Sequence, residues 1–228
     1  MAVRHTDDIR AGHMVRTQIR ARGITDGRVL EAMRRIPRQE FVRGGTSGAD
    51  PYGDFPLPIG FGQTISQPYI VALMSESLAL RGCEKVLEVG TGSGYQTALL
   101  AELAREVYTV ERVPQLLDRA RGILADLGYR NIVYNFGDGS RGWPEHAPYD
   151  SVIVTAAAKK VPPPLKDQLA DGGVLVIPIG DYRTYQVLYV IKRRGSRFET
   201  AESIGCRFVP LISDWEDHAS SGPPDEER

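Results

Sequence analysis

The sequence has few of the residues that build disulfide frameworks or metal sites. Its 228 residues include only two cysteines, Cys83 and Cys206, and four histidines that are scattered along the chain. Cysteines without a ligand spacing form neither a disulfide framework nor a zinc site, and we interpret both as small packing residues. Neither a metal ion nor a histidine-based catalytic triad is therefore expected.

Long apolar runs and a strong net charge are also missing. No stretch approaches the roughly 20 apolar residues that cross a bilayer, and residues 1–10 lack the apolar segment of a secretory signal. The formal net charge of −1 gives no electrostatic argument for nucleic acid as a partner. We therefore expect a cytoplasmic protein that binds neither membranes nor nucleic acid.

The stretch from Lys85 to Thr97 is typical of a nucleotide-binding unit. An apolar run, Val86–Val89, precedes three alternate glycines, Gly90, Gly92 and Gly94, and a helical pattern follows them. Strand, glycine turn and helix open many α/β domains that bind nucleotides. Glycines let backbone N–H groups come close to a ligand, and the helix N-terminus adds a partial positive charge.

The spacing of these glycines argues against a dinucleotide. A dinucleotide fingerprint reads G-x-G-x-x-G/A, and its last position packs a helix closely against a strand. Counted from Gly90 or Gly92, that position is Tyr95 or Thr97, so a nicotinamide-dependent oxidoreductase is disfavoured. The pattern G-x-G-x-G after an acidic strand residue, Glu88, is instead similar to the first motif of methyltransferases that use S-adenosylmethionine (SAM).

From Lys85 onwards, strand and helix patterns alternate as in a doubly wound sheet. Strands are predicted at residues 86–89, 106–110, 132–136, 149–155 and 173–179, helices at 114–127 and 161–170, and two further β elements at 185–192 and 198–212. The predicted fold class is α/β. With the similarity of its glycine turn to methyltransferases, the chain resembles a Rossmann-like SAM-dependent methyltransferase fold with a mostly parallel sheet, an antiparallel C-terminal strand pair and an N-terminal helical extension.

Three regions differ in composition from this alternating pattern. Residues 1–50 are predicted to form an extension of two short helices and a Gly/Ser/Ala linker at 44–50. Residues 51–69 combine proline, glycine and aromatic residues without a regular period, so an ordered loop is expected at the start of the main domain, 51–212, and the similarity to methyltransferases implies that it is a substrate loop. The acidic residues 213–228 are expected to be disordered.

The N-terminal extension is rich in arginine. Within residues 1–43, ten arginines stand against five carboxylates. Arginines scattered round a helix do not form a patch, and we interpret them as a solvated outer face.

A helix is predicted to begin at Pro68, which suits a first helical position. Ser66 or Gln67 then lies at or just before the N-cap, and capping is the simplest role for Ser66 on the residues alone. The inner face of this helix would carry Ile70, Leu73, Met74, Ser77 and Leu78.

Acidic residues lie at or near the ends of three predicted strands, where ligands of such sheets bind. Glu111 lies 21 positions after Gly90, close to the roughly 20-residue offset at which a carboxylate meets ribose hydroxyls. Asp138, which follows Gly137, can accept a hydrogen bond from an adenine amine. Glu88 needs a hydrogen-bond partner if it is buried. Each alone is often an ordinary surface residue, but together they predict an adenosine site.

Several motifs, in one order, carry a more specific resemblance. They are Pro56–Gly60, Gly62–Pro68, Leu87–Thr97, Tyr108–Arg112, Gly137–Gly139, Val154–Ala157, Gly172–Gly173 and Arg207–Leu211. Over about residues 52–212, the chain resembles protein-L-isoaspartate O-methyltransferases. The glycine turn is shared by many methyltransferases, whereas the Gln-Thr-Ile-Ser-Gln-Pro and Arg-Phe-Val-Pro-Leu segments are far more specific to this family.

The resemblance implies methyl transfer from SAM to the α-carboxylate of L-isoaspartyl residues in damaged proteins, with S-adenosyl-L-homocysteine as product. The methyl ester carries a better leaving group than the free acid does, so a succinimide re-forms and partly reopens to normal aspartate. A carboxylate is already ionised and nucleophilic at neutral pH, so no general base is required. Isoaspartyl peptides and proteins are therefore the expected partners of a monomeric enzyme.

The resemblance assigns the active-site role to Ser66, whose hydroxyl would orient the substrate carboxylate beside the helix from Pro68. It implies a cofactor site formed by Gln63, Thr64, Ile65, Ser66, Glu88, Gly90, Gly92, Gly94, Glu111, Arg112, Gly137 and Asp138. Lys159 and Lys160 are expected to border the peptide site and to influence its charge preference.

Two alternatives stay open beside this assignment. One is a SAM methyltransferase that acts on another substrate, which the loop around Ser66 disfavours. The other is a non-catalytic SAM-binding protein, which the intact Ser66 disfavours.

Overall fold

The structure is a computed structural model that describes residues 2–42, 49–181 and 183–213. Its α-helices are α1 (Ala2–Met14), α2 (Gly27–Arg35), α3 (Pro68–Ser77), α4 (Tyr95–Leu103), α5 (Pro114–Asp126) and α6 (Pro163–Asp167). Its strands are β1 (Leu57–Gly60), β2 (Gln63–Ile65), β3 (Lys85–Val89), β4 (Glu106–Glu111), β5 (Ile132–Phe136), β6 (Tyr149–Val154), β7 (Leu169–Gly180), β8 (Gln186–Arg194) and β9 (Arg197–Cys206).

The main sheet has the strand order β5-β4-β3-β6-β7-β8-β9. Strands β3 to β7 pair in parallel, whereas β8 pairs antiparallel with both β7 and β9. The predicted fold class is confirmed. The chain proceeds from β3 outwards to β5 and then returns to β6, so the strand order reverses between β3 and β6. Such a reversal leaves a crevice at the carboxyl ends of the strands.

Both faces of the sheet are buried, which explains the continuous apolar run in β3. Val86 packs into one apolar cluster and Leu87 into a second cluster on the other face. Residues of the N-terminal segment, including Met14, Ile19 and Met33, belong to the same cluster as Val86. The N-terminal helices therefore pack on the sheet as part of its core.

The N-terminal segment contains more regular structure than two short helices. α1 runs on into a π-helical turn, Val15–Ile19, and a 3₁₀ turn, Arg20–Arg22. α2 begins after Asp26, because the carboxylate of Asp26 accepts hydrogen bonds from the N–H groups of Arg28 and Val29. The predicted linker lies largely outside the described residues, and so does the predicted disordered tail after Ser213.

The segment 51–69 contains a β-hairpin, which corrects the prediction of a loop without regular structure. β1 and β2 pair antiparallel, and Leu57 lies opposite Ile65. Their turn contains Phe61 and Gly62, both with positive φ (55° and 69°). Positive φ at both central residues suits a tight hairpin, but phenylalanine seldom adopts it. The sequence signal was therefore hidden by Phe61 and by a proline within β1.

The predicted helix at 161–170 is wrong in length, because the observed helix α6 ends at Asp167 and β7 starts at Leu169. The predicted strand at 173–179 begins too late, because residues 171–173 lie within β7, where the pairing with β6 shifts register. A Cβ at Gly173 would lie 2.9 Å from the carbonyl oxygen of Ala170. Glycine therefore permits an irregularity inside a strand that the sequence presents as a turn.

The inner face of α3 is also corrected. Its buried residues include Val71, Ala72, Met74 and Ser75, and Leu78 follows at the C-cap. Ile70, Leu73 and Ser77 are only partly buried. The helix contacts both α2 and α4, so its buried surface is wider than one amphipathic stripe. In the described ranges, none of the helices has the length and apolar character needed to cross a bilayer.

Candidate active site

The glycine turn lies at the carboxyl end of β3, where the strand order reverses. Gly90 has φ of 97°, and a Cβ there would lie 2.4 Å from the hydroxyl oxygen of Thr155. That hydroxyl donates a hydrogen bond of 2.7 Å to the Gly90 carbonyl. Glycine is therefore required where the turn meets the end of β6.

The N–H groups of the three glycines are used inside the protein. Gly90 donates to the carbonyl of Val110, Gly92 to the carboxylate of Glu111, and Gly94 to the carbonyl of Thr91, at 2.8 to 2.9 Å. These three N–H groups are therefore already bonded within the protein, and the approach of other backbone N–H groups of the turn to a ligand stays a prediction. Because glycine has no side chain, neighbouring protein groups can pack close to the backbone at these positions.

Gly94 has a packing role behind the turn. It is the N-cap of α4 with φ of 89°, and a Cβ would lie 3.1 Å from that of Ala120 in α5. The residue lets α4 and α5 approach each other.

Glu88 is fully buried beneath the turn. The hydroxyls of Thr97 and Thr109 donate to one carboxyl oxygen at 2.6 and 2.7 Å, while the other oxygen has no partner among the described residues. Burial raises the pKa of Glu88 to about 8, against the opposing effect of the two threonine hydroxyls. The hydroxyl of Thr109 also lies 2.6 Å from that of Thr91, within the turn. The carboxyl thus joins a polar network that supports the turn from below.

Glu111 ends β4 with its carboxylate held by the backbone. One oxygen accepts from the N–H of Gly92 and the other from the N–H of Val113, both at 2.9 Å. The residue is 7% exposed and lines a cavity beside the turn. A carboxylate has about four lone-pair sites, so both oxygens can still accept hydroxyl donors.

Asp138 and Arg112 flank the same cavity. One oxygen of Asp138 accepts from the N–H and hydroxyl of Ser140, at 2.9 and 2.7 Å, and thereby caps a 3₁₀ turn. Arg112 donates to the carbonyl of Ile212 at 2.9 Å, which holds the C-terminal segment beside the cavity. Gly137 donates its N–H to the Glu111 carbonyl.

Three adjoining cavities form a cleft over the turn, and Thr64 and Thr155 line all three. The cavity next to Glu111, about 190 Å³, is lined by Glu111, Arg112, Gln63 and apolar residues that include Val89, Val110 and Ile212. The turn-side cavity, about 40 Å³, is lined by Ile65, Ser66, Gly90, Gly92, Ser93 and Tyr95. The outer cavity, about 470 Å³, is lined by Ser66, Arg22, Tyr185, Arg207 and Phe208.

Eight of the predicted cofactor residues therefore line the cleft, and four do not. The four that lie behind or beside it are Glu88, Gly94, Gly137 and Asp138. Their carboxyl and backbone groups contact the turn and its neighbouring loops.

Ser66 lies between the turn-side and outer cavities. Gln67 is the N-cap of α3 and no side chain caps the helix, so the capping interpretation of Ser66 is wrong. In the described part of the chain, the Ser66 hydroxyl has no hydrogen-bond partner. The N–H groups of Tyr69 and Ile70 likewise donate to no acceptor within the described ranges. A hydroxyl and two N–H groups are thus available at one helix N-terminus.

Two arginines that sequence reasoning did not select line the outer cavity. Arg22 pairs with Asp54 at 3.0 Å and stacks on the ring of Tyr69, 3.6 Å from its centroid. Arg207 is exposed and has no partner among the described residues. Its position in the Arg-Phe-Val-Pro-Leu segment was the available signal. Lys159 and Lys160 line none of the three cavities, contrary to expectation.

The cysteines and acidic residues show no metal-binding arrangement in the part of the chain that the structure describes. Cys206 is buried at the end of β9, as expected of a packing residue, and burial raises the pKa of its thiol to about 11. Cys83 is exposed, so the packing interpretation is wrong for that residue.

Known proteins are similar to this chain in sequence and in fold. The family described as protein-L-isoaspartate(D-aspartate) O-methyltransferase matches residues 10–216. A protein-L-isoaspartate O-methyltransferase of Dictyoglomus thermophilum is 55% identical over 197 residues, which cover 86% of this chain and 89% of the relative. Another, of Methanoculleus marisnigri, is 55% identical over 199 residues, which cover 87% of this chain and 90% of the relative.

A solved structure from Plasmodium falciparum, described as a protein-L-isoaspartate O-methyltransferase in complex with S-adenosyl-L-homocysteine, has a TM-score of 0.76 and 25% identity. The match covers 89% of this chain and 98% of that chain. The family match spans the hairpin, the glycine turn and the segment that carries Arg207. The chain therefore belongs to the protein-L-isoaspartate (D-aspartate) O-methyltransferase family.

Proposed function

We propose that this protein transfers the methyl group of SAM to the α-carboxylate of L-isoaspartyl residues in damaged peptides and proteins, and so initiates their repair through a succinimide. The observation that carries the proposal is the position of Ser66. Its hydroxyl, unpartnered among the described residues, lies where the cavities beside the glycine turn meet the outer cavity. A substrate carboxylate in the outer cavity would therefore contact Ser66 at the boundary with the turn-side cavity.

The cleft suits the chemistry of a SAM molecule. Val89, Val110 and Ile212 offer an apolar surface for an adenine ring, and Glu111 offers acceptors to a ribose diol. At Gly90 there is no room for a Cβ, because the hydroxyl of Thr155 occupies that space and fixes the turn against the end of β6. We assign the contacts with SAM to Gln63, Thr64, Ile65, Ser66, Gly90, Gly92, Glu111 and Arg112. The residues Glu88, Gly94, Gly137 and Asp138 support these contacts from behind.

The proposed chemistry requires alignment more than activation. The bound SAM supplies a methyl group on a positively charged sulfur, and the substrate carboxylate is already ionised at neutral pH. The new O–CH₃ bond forms as the S–CH₃ bond breaks, which leaves an ester and a thioether without release of a proton. Holding the carboxylate oxygen, methyl carbon and sulfur in line can lower the barrier by up to about 7–11 kcal/mol.

Ser66 and the start of α3 provide this alignment. The hydroxyl of Ser66 donates to one carboxylate oxygen, while the N–H groups of Tyr69 and Ile70 attract the same negative charge. A hydrogen bond to a carboxylate contributes about 1.5–3 kcal/mol. The substrate is thereby held with its other oxygen free to attack.

The outer cavity favours an anionic peptide. Arg207 lines it without a partner in the described part of the chain, and the paired Arg22 adds a second guanidinium. These cations complement a free α-carboxylate, which an isoaspartyl linkage exposes beside the main chain. An ordinary aspartyl peptide lacks that group.

We also propose that the protein acts as a cytoplasmic monomer without metal or nucleic acid. The formal net charge of −1 gives no electrostatic argument for a nucleic-acid partner. Residues 51–212 would contain the whole methyltransferase domain, with residues 1–50 as an extension and 213–228 as a tail.

A pair of peptides tests the proposed reaction. A synthetic isoaspartyl peptide and its aspartyl twin are offered to the full chain with methyl-labelled SAM. We expect label only on the isoaspartyl peptide, in a base-labile ester. SAM binding without transfer to either peptide, together with labelling of another substrate class, would support the first alternative. Binding of SAM without methyl transfer to any substrate would support the second alternative, a non-catalytic SAM-binding protein.

A further inference from the structure

Arg38 is a fully buried cation outside the residues already assigned to the cleft. It opens the 3₁₀ turn Arg38–Val42 after α2 and is 0% exposed. Among the described residues no carboxylate pairs with it, and burial lowers the pKa of its guanidinium. The sequence interpretation of a solvated arginine is therefore wrong here. A buried charge without a counter-ion is costly, so its contacts require an explanation.

The guanidinium of Arg38 holds both ends of the substrate loop. Its Nε donates to the carbonyl of Pro51 at 2.8 Å, and its Nη2 donates to the carbonyl of Ser66 at 2.7 Å. Between these carbonyls lies the whole β1–β2 hairpin. The planar fork of arginine suits two acceptors at once, which the single ammonium of lysine does not reproduce.

The same side chain contacts the glycine-turn unit. Its guanidinium carbon lies 4.7 Å from the ring centroid of Tyr95, the first residue of α4. Phe41, from the turn that Arg38 opens, packs edge-on against the same ring at 5.5 Å. Arg38 therefore connects the loop that carries Ser66 to the helix that follows the glycines.

We infer that Arg38 is a positioning residue that fixes the Ser66 backbone for methyl transfer, by holding the Ser66 carbonyl against the core. This inference rests on the role proposed above for Ser66. Because the Ser66 carbonyl is bound, its peptide plane and the direction of its hydroxyl are restricted relative to α3. The carboxylate oxygen of the substrate is then held in line with the methyl carbon and the sulfur. The desolvation of the Arg38 guanidinium is the free-energy cost of this arrangement.

The test compares Arg38→Lys and Arg38→Gln in the wild-type and Ser66→Ala backgrounds. For each protein, kcat and KM for an isoaspartyl peptide, the Kd for SAM, and the free energy of unfolding are measured. Arg38→Lys keeps the charge and the aliphatic stem, so the inference can still be tested with this variant if Arg38→Gln fails to fold. Arg34→Gln is the matched control, because Arg34 is exposed and pairs with Glu31 on α2.

Arg38→Lys is expected to lower kcat by about tenfold or more, with a change in the Kd for SAM below about threefold. In the Ser66→Ala background, the same change should lower kcat by less than about twofold, because coupled residues are not additive. Arg34→Gln should leave kcat unchanged. Equal losses in both backgrounds, or normal kcat in Arg38→Lys, would overturn the inference. Normal activity of Ser66→Ala alone would instead contradict the role proposed for Ser66, whereas no transfer to the isoaspartyl peptide by the wild type would contradict the proposed function.

Discussion

At the scale of single residues, two glutamates beside the glycine turn occupy opposite environments. Glu88 is buried without a charged partner among the described residues, and its raised pKa of about 8 keeps it neutral at pH 7. Glu111 accepts from two backbone N–H groups and lines the cleft. The first carboxyl belongs to the internal network, and the second is the one that we propose for contact with the ligand.

Replacing Glu111 should weaken SAM binding. Loss of a carboxylate that accepts ribose hydroxyls costs about 1.5–3 kcal/mol, so Glu111→Ala is expected to raise the Kd for SAM by roughly 10- to 150-fold. Isothermal titration calorimetry measures this change. Glu106→Ala removes an exposed carboxylate at the other end of β4 and is the control. An unchanged Kd in Glu111→Ala would refute the ribose role.

Glu88 predicts a pH dependence of stability. The folded pKa is about 8, well above the usual value of about 4.3 in unfolded chains, so between these values the folded state binds more protons. The free energy of unfolding should therefore decrease as pH rises through this window, by at most about 1.4 kcal/mol per pH unit.

Urea unfolding of Glu88→Gln between pH 5 and 9 tests that dependence, because glutamine keeps the shape of the buried carboxyl without titrating. The variant should show a flatter pH profile than the wild type, and its relative stability should increase towards the alkaline end. Glu106→Gln, at an exposed site, is the control. Parallel profiles for the wild type and Glu88→Gln would contradict the raised pKa.

At the scale of elements, packing between helices sets the position of the glycine turn. α4 and α5 approach each other closely at Gly94, and Ala120 and Leu124 lie against the space where a side chain would project. The hairpin covers the turn from the other side, since a Cβ at Gly92 would lie 3.8 Å from the side chain of Ile59. The cavities beside the glycine turn therefore depend on contacts among three separate elements.

Two glycine substitutions separate packing from intrinsic helix propensity. Gly94→Ala should destabilise the protein by roughly 1–3 kcal/mol, because φ is 89° and the new Cβ would lie 3.1 Å from that of Ala120. Gly122→Ala, within α5 and with open space around it, should stabilise by about 0.5–1 kcal/mol. Urea unfolding measures both changes, and a shift of the same sign in the two variants would contradict this account.

At the scale of the whole molecule, one apolar cluster joins the N-terminal helices to the sheet. Met33 of α2 and Val86 of β3 are both 0% exposed and belong to this cluster. Arg28 also donates to the carbonyls of Leu80 and Leu103, which tie α2 to the main domain. The extension and the sheet should therefore unfold as one unit.

Hydrogen exchange at increasing urea concentrations tests this cooperativity. Peptides that contain residues 27–35 and 85–89 are expected to lose protection at the same urea concentration, since neither element keeps its buried surface alone. Mass spectrometry of the digested protein measures both. Earlier loss in residues 27–35 would show that the extension unfolds separately.

Local patterns were enough to predict much of the fold. The strand, glycine turn and helix at 85–103 follow from apolar periodicity and glycine spacing, which act over a few residues. Glu111 could be placed near the cleft because it ends a strand beside β3. The motifs around Ser66 and Arg207 likewise identified the family from adjacent residues.

Tertiary contacts decided the rest. Arg38 resembles its exposed neighbours in sequence, and only folding places it within hydrogen-bond distance of Pro51 and Ser66. The roles of Glu88 and Gly94 also depend on groups far along the chain, in β4 and α5. The sequence by itself determined the order of the elements from β3 onwards and the resemblance to the family. The structure alone decided which polar groups face the cleft, because burial and hydrogen bonding depend on residues that are distant in sequence.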